Sequence, residues 1–129
     1  MEETMKNLEL QKRANDVRKG IVTAVHGAKA GHPGGSLSAA DIFTFLYFEE
    51  MNIDPKNPDM EERDRFVLSK GHTAPGLYSA LAYRGYFPVE DLPKYTRIRL
   101  FNALIGFGEI DEITRIYVWP YASIGVALC

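Results

Sequence analysis

Two histidines stand in glycine-containing stretches and could manage protons for a bound ligand. His32 lies in "AGHPGGS", residues 30–36, and His72 lies in "SKGH", residues 69–72. An imidazole with its ordinary pKa exchanges protons near neutral pH. The neighbouring glycines let the main chain and its amides approach a ligand closely. A ligand-binding role for the pair is one interpretation, and a tight turn between two helices, with the ring capping a carbonyl, is the other.

Other residues near these loops have ordinary explanations. Lys70 could attract a phosphate, but an exposed lysine at the end of a strand is the commoner case. The stretch "GHPGGS" matches neither a phosphate-binding nor a dinucleotide-binding loop, because the spacing and a Gly-Lys-Ser/Thr end are missing. His26 falls inside a helical pattern and is expected at the surface or as core filler. With Cys129 as the single cysteine, no intramolecular disulfide and no thiolate metal cluster are expected.

Composition sets limits on the class of protein. The chain has 129 residues, of which 46% are hydrophobic and 12% aromatic, enough for one domain with a core. Its formal net charge is -2 without long runs of one sign, which argues against a nucleic-acid-binding face and favours small molecules or proteins as partners. Neither a secretory pattern nor an apolar run long enough to cross a bilayer stands out, so we expect a cytoplasmic protein without a membrane span.

The elements that must position the two histidines follow from apolar periodicity. Spacing of three and four residues predicts an amphipathic helix from Leu8 to Ala28, with Gly31 as its stop. A second helix is predicted to begin at Ser36 or Ser38, either of which can cap it, and to be buried on more than one side. His32 would therefore lie between two helices.

A buried strand is predicted over residues 65–69, directly before His72. The carboxyl ends of such strands are where ligands bind in open α/β sheets. Residues 74–83 have helical spacing, and Gly85 can close that helix in the left-handed conformation. The stretch "FPVEDL", residues 87–92, starts a further helix.

Three stretches together resemble the N-terminal segment of transketolase. They are "RANDVRKGIVTAV", "AGHPGGSLSAADI" and "RDRFVLSKGHTAPGLYSALAYRGYF", and the similarity runs in order from Arg13 to Leu92. The combination of Gly-His-Pro-Gly after a helix and Ser-x-Gly-His after a strand is highly specific. The match is closest to the split transketolases of bacteria and archaea, whose N-terminal half is a separate polypeptide. A neighbouring thiamin enzyme, deoxyxylulose-phosphate synthase, fits this pair of motifs less well.

The resemblance implies an α/β fold class: a fragment of a thiamin-diphosphate-binding fold, with helices packed on a short parallel sheet and a mostly helical matched part. It implies transfer of a two-carbon ketol unit between sugar phosphates in the pentose phosphate pathway. His32 would lie near the reactive thiazolium carbon and the donor sugar, and His72 beside the diphosphate and the substrate channel. Gly34 and Gly71 would let the main chain come close to the cofactor.

The resemblance is lost after Leu92. Residues 1–92 are therefore expected to form the transketolase-like part, and residues 93–129 an unassigned tail that does not match the family. A frameshift, a fusion or a truncated gene product would each explain such a tail, and a frameshifted or foreign tail is the preferred interpretation. In that tail a short helix around residues 98–105 and a strand around residues 113–119 are expected. The sequence lacks the family's Gly-Asp-Gly motif with its downstream asparagine, which holds the divalent cation, Mg or Ca. It also lacks the glutamate of the second cofactor-binding domain that activates the cofactor.

These departures leave two functions open. The first is an N-terminal transketolase component that, alone, binds thiamin diphosphate weakly or not at all and has no turnover. It would work with a C-terminal transketolase subunit, or self-associate as a dimer or other homo-oligomer. The second is a non-catalytic interaction or fold fragment that keeps the family helices without the cofactor.

Overall fold

The computed structural model describes residues 1–29, 31–58, 60–68, 70–94 and 117–118. Four α-helices form most of this part: α1, Glu2–Ala28; α2, Pro33–Ser38; α3, Ala40–Phe45; and α4, Ala74–Arg84. A π-helical turn, Leu46–Glu50, continues α3, and 3-10 turns occupy Gly71–Thr73 and Val89–Asp91. Two short strands are present: β1, Val67–Leu68, and β2, Tyr117–Val118.

Helix α1 ends where the periodicity predicts, at Ala28, but it begins earlier than Leu8. The predicted start was wrong because burial begins only at Ala14, whereas the exposed first turns are helical without contributing to the apolar face. The predicted stop at Gly31 was also wrong. Lys29 already adopts the left-handed conformation (φ 53°), and its N–H donates to the carbonyl of His26 over 3.1 Å.

The predicted second helix is divided in two, and neither serine caps it. Helix α2 begins at Pro33, where the missing N–H of proline carries no penalty. Ser38 donates to the carbonyl of Gly35 over 2.7 Å, within its own helix. Ser36 lies inside α2 and forms its hydrogen bond with another helix, α4. The capping interpretation was wrong because the chain is helical three residues earlier than Ser36.

Helix α3 packs on one face, which corrects the expectation that it is buried on more than one side. Phe43 and Tyr47 belong to the core, with rings edge-on to Phe66. Ile42 and Phe45 point outward and are 61% and 48% exposed. A helix with apolar residues around most of its axis is therefore not always packed against other elements on every side.

Helix α4 is the centre of the described core and matches its prediction closely. All residues from Ala74 to Ala82 are buried. Gly85 ends the helix in the left-handed region (φ 108°), and its N–H donates to the carbonyls of Leu81 and Ala82. Helix α1 crosses it closely, since Ser79 donates to the carbonyl of Val17 over 2.7 Å. Within residues 87–92, a 3-10 turn follows Pro88 over Val89–Asp91, and the chain continues helically to residue 94.

The strands agree with the predicted segments where the structure describes them. β1 lies within residues 65–69 and pairs in parallel with β2, which lies within residues 113–119. The register places Val67 opposite Tyr117 and Leu68 opposite Val118. The predicted helix around residues 98–105 lies outside the described residues. In the described part of the chain, none of the helices has both the length and the apolar character required to cross a bilayer.

We expect Gly20→Ala to destabilise the protein. A methyl group at Gly20 would overlap the hydroxyl of Ser79 and come within 2.9 Å of the Tyr83 ring. Overpacking of this kind costs about 1–3 kcal/mol of unfolding free energy, measurable by denaturant titration. Gly34→Ala is the matched control, because a methyl group there meets no atom within 4 Å, and it should leave the stability unchanged or higher. Equal stability of both variants would contradict the close crossing of α1 and α4.

We expect Tyr47→Phe to be neutral or stabilising. The Tyr47 side chain is 2% exposed, and in the described part of the chain its hydroxyl has no hydrogen-bond partner. Burial raises the pKa of Tyr47, so the hydroxyl stays protonated. Burying an unpaired hydroxyl costs about 1–3 kcal/mol, and its removal recovers part of that cost. Tyr47→Ala should instead lose about 3–5 kcal/mol in the same unfolding measurement. A clear loss in Tyr47→Phe would mean that the hydroxyl has a partner.

Candidate functional site

The structure brings the two predicted histidines into contact. The ring centroids of His32 and His72 are 5.6 Å apart, and the rings meet edge to face at 79°. His32 directly precedes α2, and His72 lies in the turn that precedes α4. The pair therefore joins the starts of two helices that are far apart in sequence.

The backbone before α2 turns His32 outward. Gly31 has φ 127°, a value that residues with a side chain rarely adopt. His32 follows as the N-cap residue, with backbone angles outside the helical region, and Pro33 starts the helix. The His32 side chain is exposed. The glycine and the proline beside the histidine therefore have different roles. Gly31 allows the turn between α1 and α2, and Pro33 begins α2, so the His32 ring is exposed between them.

The turn that carries His72 is held by Thr73. Both the N–H and the hydroxyl of Thr73 donate to the carbonyl of Lys70, over 2.9 and 2.7 Å. Thr73 is buried, whereas His72 is partly exposed and Lys70 is exposed. Gly71 is the first residue of this turn. The turn thus fixes the backbone beneath the His72 ring while leaving one side of the ring accessible.

The two glycines after Pro33 have different surroundings. A methyl group at Gly34 would meet nothing within 4 Å, so the main chain there borders open space. A methyl group at Gly35 would lie 3.2 Å from Thr73 Cγ2 and 3.3 Å from His72 Cδ2. Helix α2 therefore lies directly against the His72 ring through Gly35, and Gly34 faces away from that contact.

Burial and positive neighbours favour the neutral form of His72. Burial lowers its pKa from the ordinary 6.5, and the charges of Lys70 and His32 lower it further. A neutral imidazole can accept a proton at neutral pH. His26 is exposed on the last turn of α1, consistent with its predicted surface position. Among the described residues, no three His, Cys, Asp or Glu side chains are arranged to hold a metal ion.

The sequence analysis did not identify the role of one polar residue near the two histidines. Ser36 was assigned a cap of its own helix, but it is completely buried, and its hydroxyl accepts the N–H of Gly76 over 3.2 Å. No local pattern signals this bond, since its two partners lie on different helices.

We expect His72 to titrate below pH 6.5, and Lys70→Met to raise its pKa only in part, because burial is the larger cause. Since folding lowers this pKa, the neutral ring contributes stability above the unfolded-state value, and that contribution is lost as the pH falls through the folded-state pKa. Titrations of the His72 ring protons by NMR, in the folded and in the unfolded chain, measure the two pKa values. Lys56→Met is the control, because Lys56 follows Pro55, which lies beside Gly85 at the other end of α4. An equal response to both substitutions would contradict the assigned influence of Lys70.

Comparison with known proteins gives a consistent family. The model described as "Transketolase, thiamine diphosphate binding domain" matches residues 10–118, a range that extends beyond Leu92. The chain is 50% identical over 90 residues to a 6-deoxy-6-sulfo-D-fructose transketolase subunit of Clostridium sp. (strain MSTE9), covering 70% of this chain and 33% of that protein.

Two further relatives have the same character. An apulose-4-phosphate transketolase subunit of Phocaeicola vulgatus is 45% identical over 86 residues, which cover 67% of this chain and 30% of that protein. Transketolase 1 of Escherichia coli is 41% identical over 86 residues, 66% of this chain and 13% of that enzyme. The chain thus spans a third or less of the length of these relatives. With a family model matched over most of its length, the chain belongs to the transketolase family, in the region of the thiamin diphosphate-binding domain.

Proposed function

We propose that this chain supplies the N-terminal part of a thiamin diphosphate site in a transketolase that transfers a two-carbon ketol unit between sugar phosphates. The observation that carries the proposal is the contact between the His32 and His72 rings, 5.6 Å apart, in a chain of this family. One ring is exposed and the other partly exposed, so both are accessible to a ligand.

The residues at this contact fit part of a diphosphate cofactor. Gly34 borders open space, as a main chain that receives a ligand requires. Lys70 adds a positive charge beside His72, and Gly71 begins the turn that carries His72. We therefore assign Gly34, Gly71 and His72 to the cofactor and His32 to the sugar.

Each imidazole has a distinct task in this proposal. Thiamin diphosphate, when bound, supplies the electron sink that allows a carbon–carbon bond of the sugar to break. His32 would accept a proton from a sugar hydroxyl and return it to the product, as a general base and then a general acid. His72, neutral near pH 7, would donate a hydrogen bond to an anionic oxygen and exclude water from that side of the site.

The rest of the site is proposed to come from other residues of the complete protein. A diphosphate carries several negative charges, which one lysine and neutral imidazoles offset poorly. A divalent cation, Mg or Ca, would neutralise them, and the family's Gly-Asp-Gly motif for that cation is not in this sequence. We propose that the chain alone binds thiamin diphosphate weakly or not at all and has no turnover. Other residues of the complete protein would supply the Gly-Asp-Gly motif, and the partner is proposed to be a C-terminal transketolase subunit, which carries the activating glutamate, or a second copy in a homo-oligomer.

Further parts of the proposal concern organisation and location. The β1 and β2 pair is taken as part of the short parallel sheet on which the helices pack. Residues 1–92 are proposed as the transketolase-like segment, with residues 93–129 as a separate tail, although the family match extends to residue 118. We place the protein in the cytoplasm, acting on sugar phosphates of the pentose phosphate pathway.

A second candidate is a non-catalytic interaction or fold fragment that keeps the family helices without the chemistry. A coupled ketol-transfer assay, run with and without a C-terminal transketolase subunit, separates the two functions. Rescue of turnover by that subunit supports the first candidate. Stable self-association without rescue supports the second.

We expect His32→Gln or His72→Gln to lower kcat/KM in the rescued enzyme by about a hundredfold or more, because a positioned acid–base group contributes at least that much. His26→Gln is the matched control and should leave the rate unchanged.

Isothermal titration of the isolated chain with thiamin diphosphate and magnesium tests the proposed dependence of cofactor binding on other residues. Micromolar binding by the chain alone would overturn the proposed dependence on other residues.

A further inference from the structure

A buried hydrogen bond links the two helices that follow the histidines. The N–H of Gly76 in α4 donates to the hydroxyl of Ser36 in α2 over 3.2 Å. Both residues are buried, and Ser36 has no exposed surface. Each lies four residues after its histidine, about one helical turn along the chain. The bond therefore lies one turn beyond the contact between the rings.

The hydrogen bond satisfies a group that α4 cannot satisfy itself. Gly76 is the third residue of α4, and N–H groups of a first helical turn have no acceptor within their own helix. Thr73, the N-cap residue, makes no side-chain cap, because its hydroxyl donates to the carbonyl of Lys70 instead. Ser36 thus performs the role of an N-cap for α4 from a different helix.

Close packing leaves little freedom around this bond. A methyl group at Gly76 would lie 2.8 Å from the Phe43 ring and 3.3 Å from Ser36 Cβ. On the other side of α2, Gly35 lies directly against the His72 ring and the Thr73 methyl group. A shift of α2 along α4 would break the Ser36 bond and move both contacts together.

We propose that Ser36 is a positioning residue that holds the His32 and His72 rings together by capping α4 from α2. The importance of this role for catalysis rests on the proposed function, since the ring pair is the proposed site. The positioning itself is a property of the described helices. Loss of the hydroxyl leaves a buried N–H unpaired, and the helices relieve that cost by moving apart or by admitting water.

Thr44→Ala provides a matched control. Thr44 is as deeply buried as Ser36, but its hydroxyl donates to the carbonyl of Ala40 within its own helix, over 2.7 Å. Both substitutions remove one buried hydroxyl and its hydrogen bond. The Ser36 bond, in contrast, connects α2 with α4, the two helices that follow the histidines. A merely structural role of Ser36 would therefore make the two variants behave alike.

The test measures the ring contact by NMR in the full chain, without cofactor. Nuclear Overhauser effects between the His32 and His72 ring protons should be present in the unsubstituted protein and in Thr44→Ala. They should be lost in Ser36→Ala at a melting temperature similar to that of Thr44→Ala. Retention of the effect in folded Ser36→Ala would overturn the proposal.

Amide hydrogen exchange of the unsubstituted chain covers the case in which Ser36→Ala does not fold. The Gly76 amide should exchange slowly, at a rate comparable to the Leu77 amide in the next position of α4. Exchange as fast as that of an unprotected amide would show that Ser36 does not cap the helix and would overturn the proposal. Neither measurement uses cofactor or substrate, so failure of the proposed function would appear separately, in the ketol-transfer assay.

Discussion

Close packing around α4 is the constraint on which the rest of the structure depends. Every residue from Ala74 to Ala82 is buried, so the helix meets protein on all sides. A fully buried leucine such as Leu77 contributes about 1.5–3 kcal/mol of apolar burial. Neighbouring helices come close to α4 where a glycine leaves room: Gly20 of α1 lies against the Ser79 side chain, and Gly76 of α4 lies against the Phe43 ring. The start of α4, and with it the turn that carries His72, is placed by this packing.

A helix surrounded by protein must satisfy its polar groups without water. Ser79 donates to the carbonyl of Val17, and Ser36 accepts the N–H of Gly76. These two buried hydroxyls therefore form hydrogen bonds between α4 and its neighbours α1 and α2. The ion pair of Arg18 with Asp41, in which one guanidinium nitrogen donates to both carboxylate oxygens, lies at the surface, where such pairs contribute less than about 1 kcal/mol. The contact between the histidines therefore depends on packing and buried hydrogen bonds far more than on surface charge.

How far the sequence predicts the structure differs from one element to the next. The helix over residues 74–83 and its Gly85 end are correct because local preference, apolar spacing and burial agree there. The second helix was expected to be buried on more than one side, but Ile42 and Phe45 are exposed, since a side chain's hydrophobicity does not specify which neighbours the fold supplies. Glycine-containing loops identify both histidines, whereas their contact follows from the packing of α2 on α4. For the same reason no local pattern reveals the partner of Ser36.

The charges around the His32 and His72 rings determine what each ring could do in a transketolase site. Burial, Lys70 and His32 all lower the pKa of His72, which keeps that imidazole neutral near pH 7 and able to donate a hydrogen bond. The same influences oppose the protonation that a nearby anion would induce, so His72 offers little positive charge to a diphosphate. A neutral ring that donates hydrogen bonds and a group that neutralises charge therefore have opposite electrostatic requirements. Under the proposed function, a cation beside the diphosphate would supply the positive charge that neutral His72 does not.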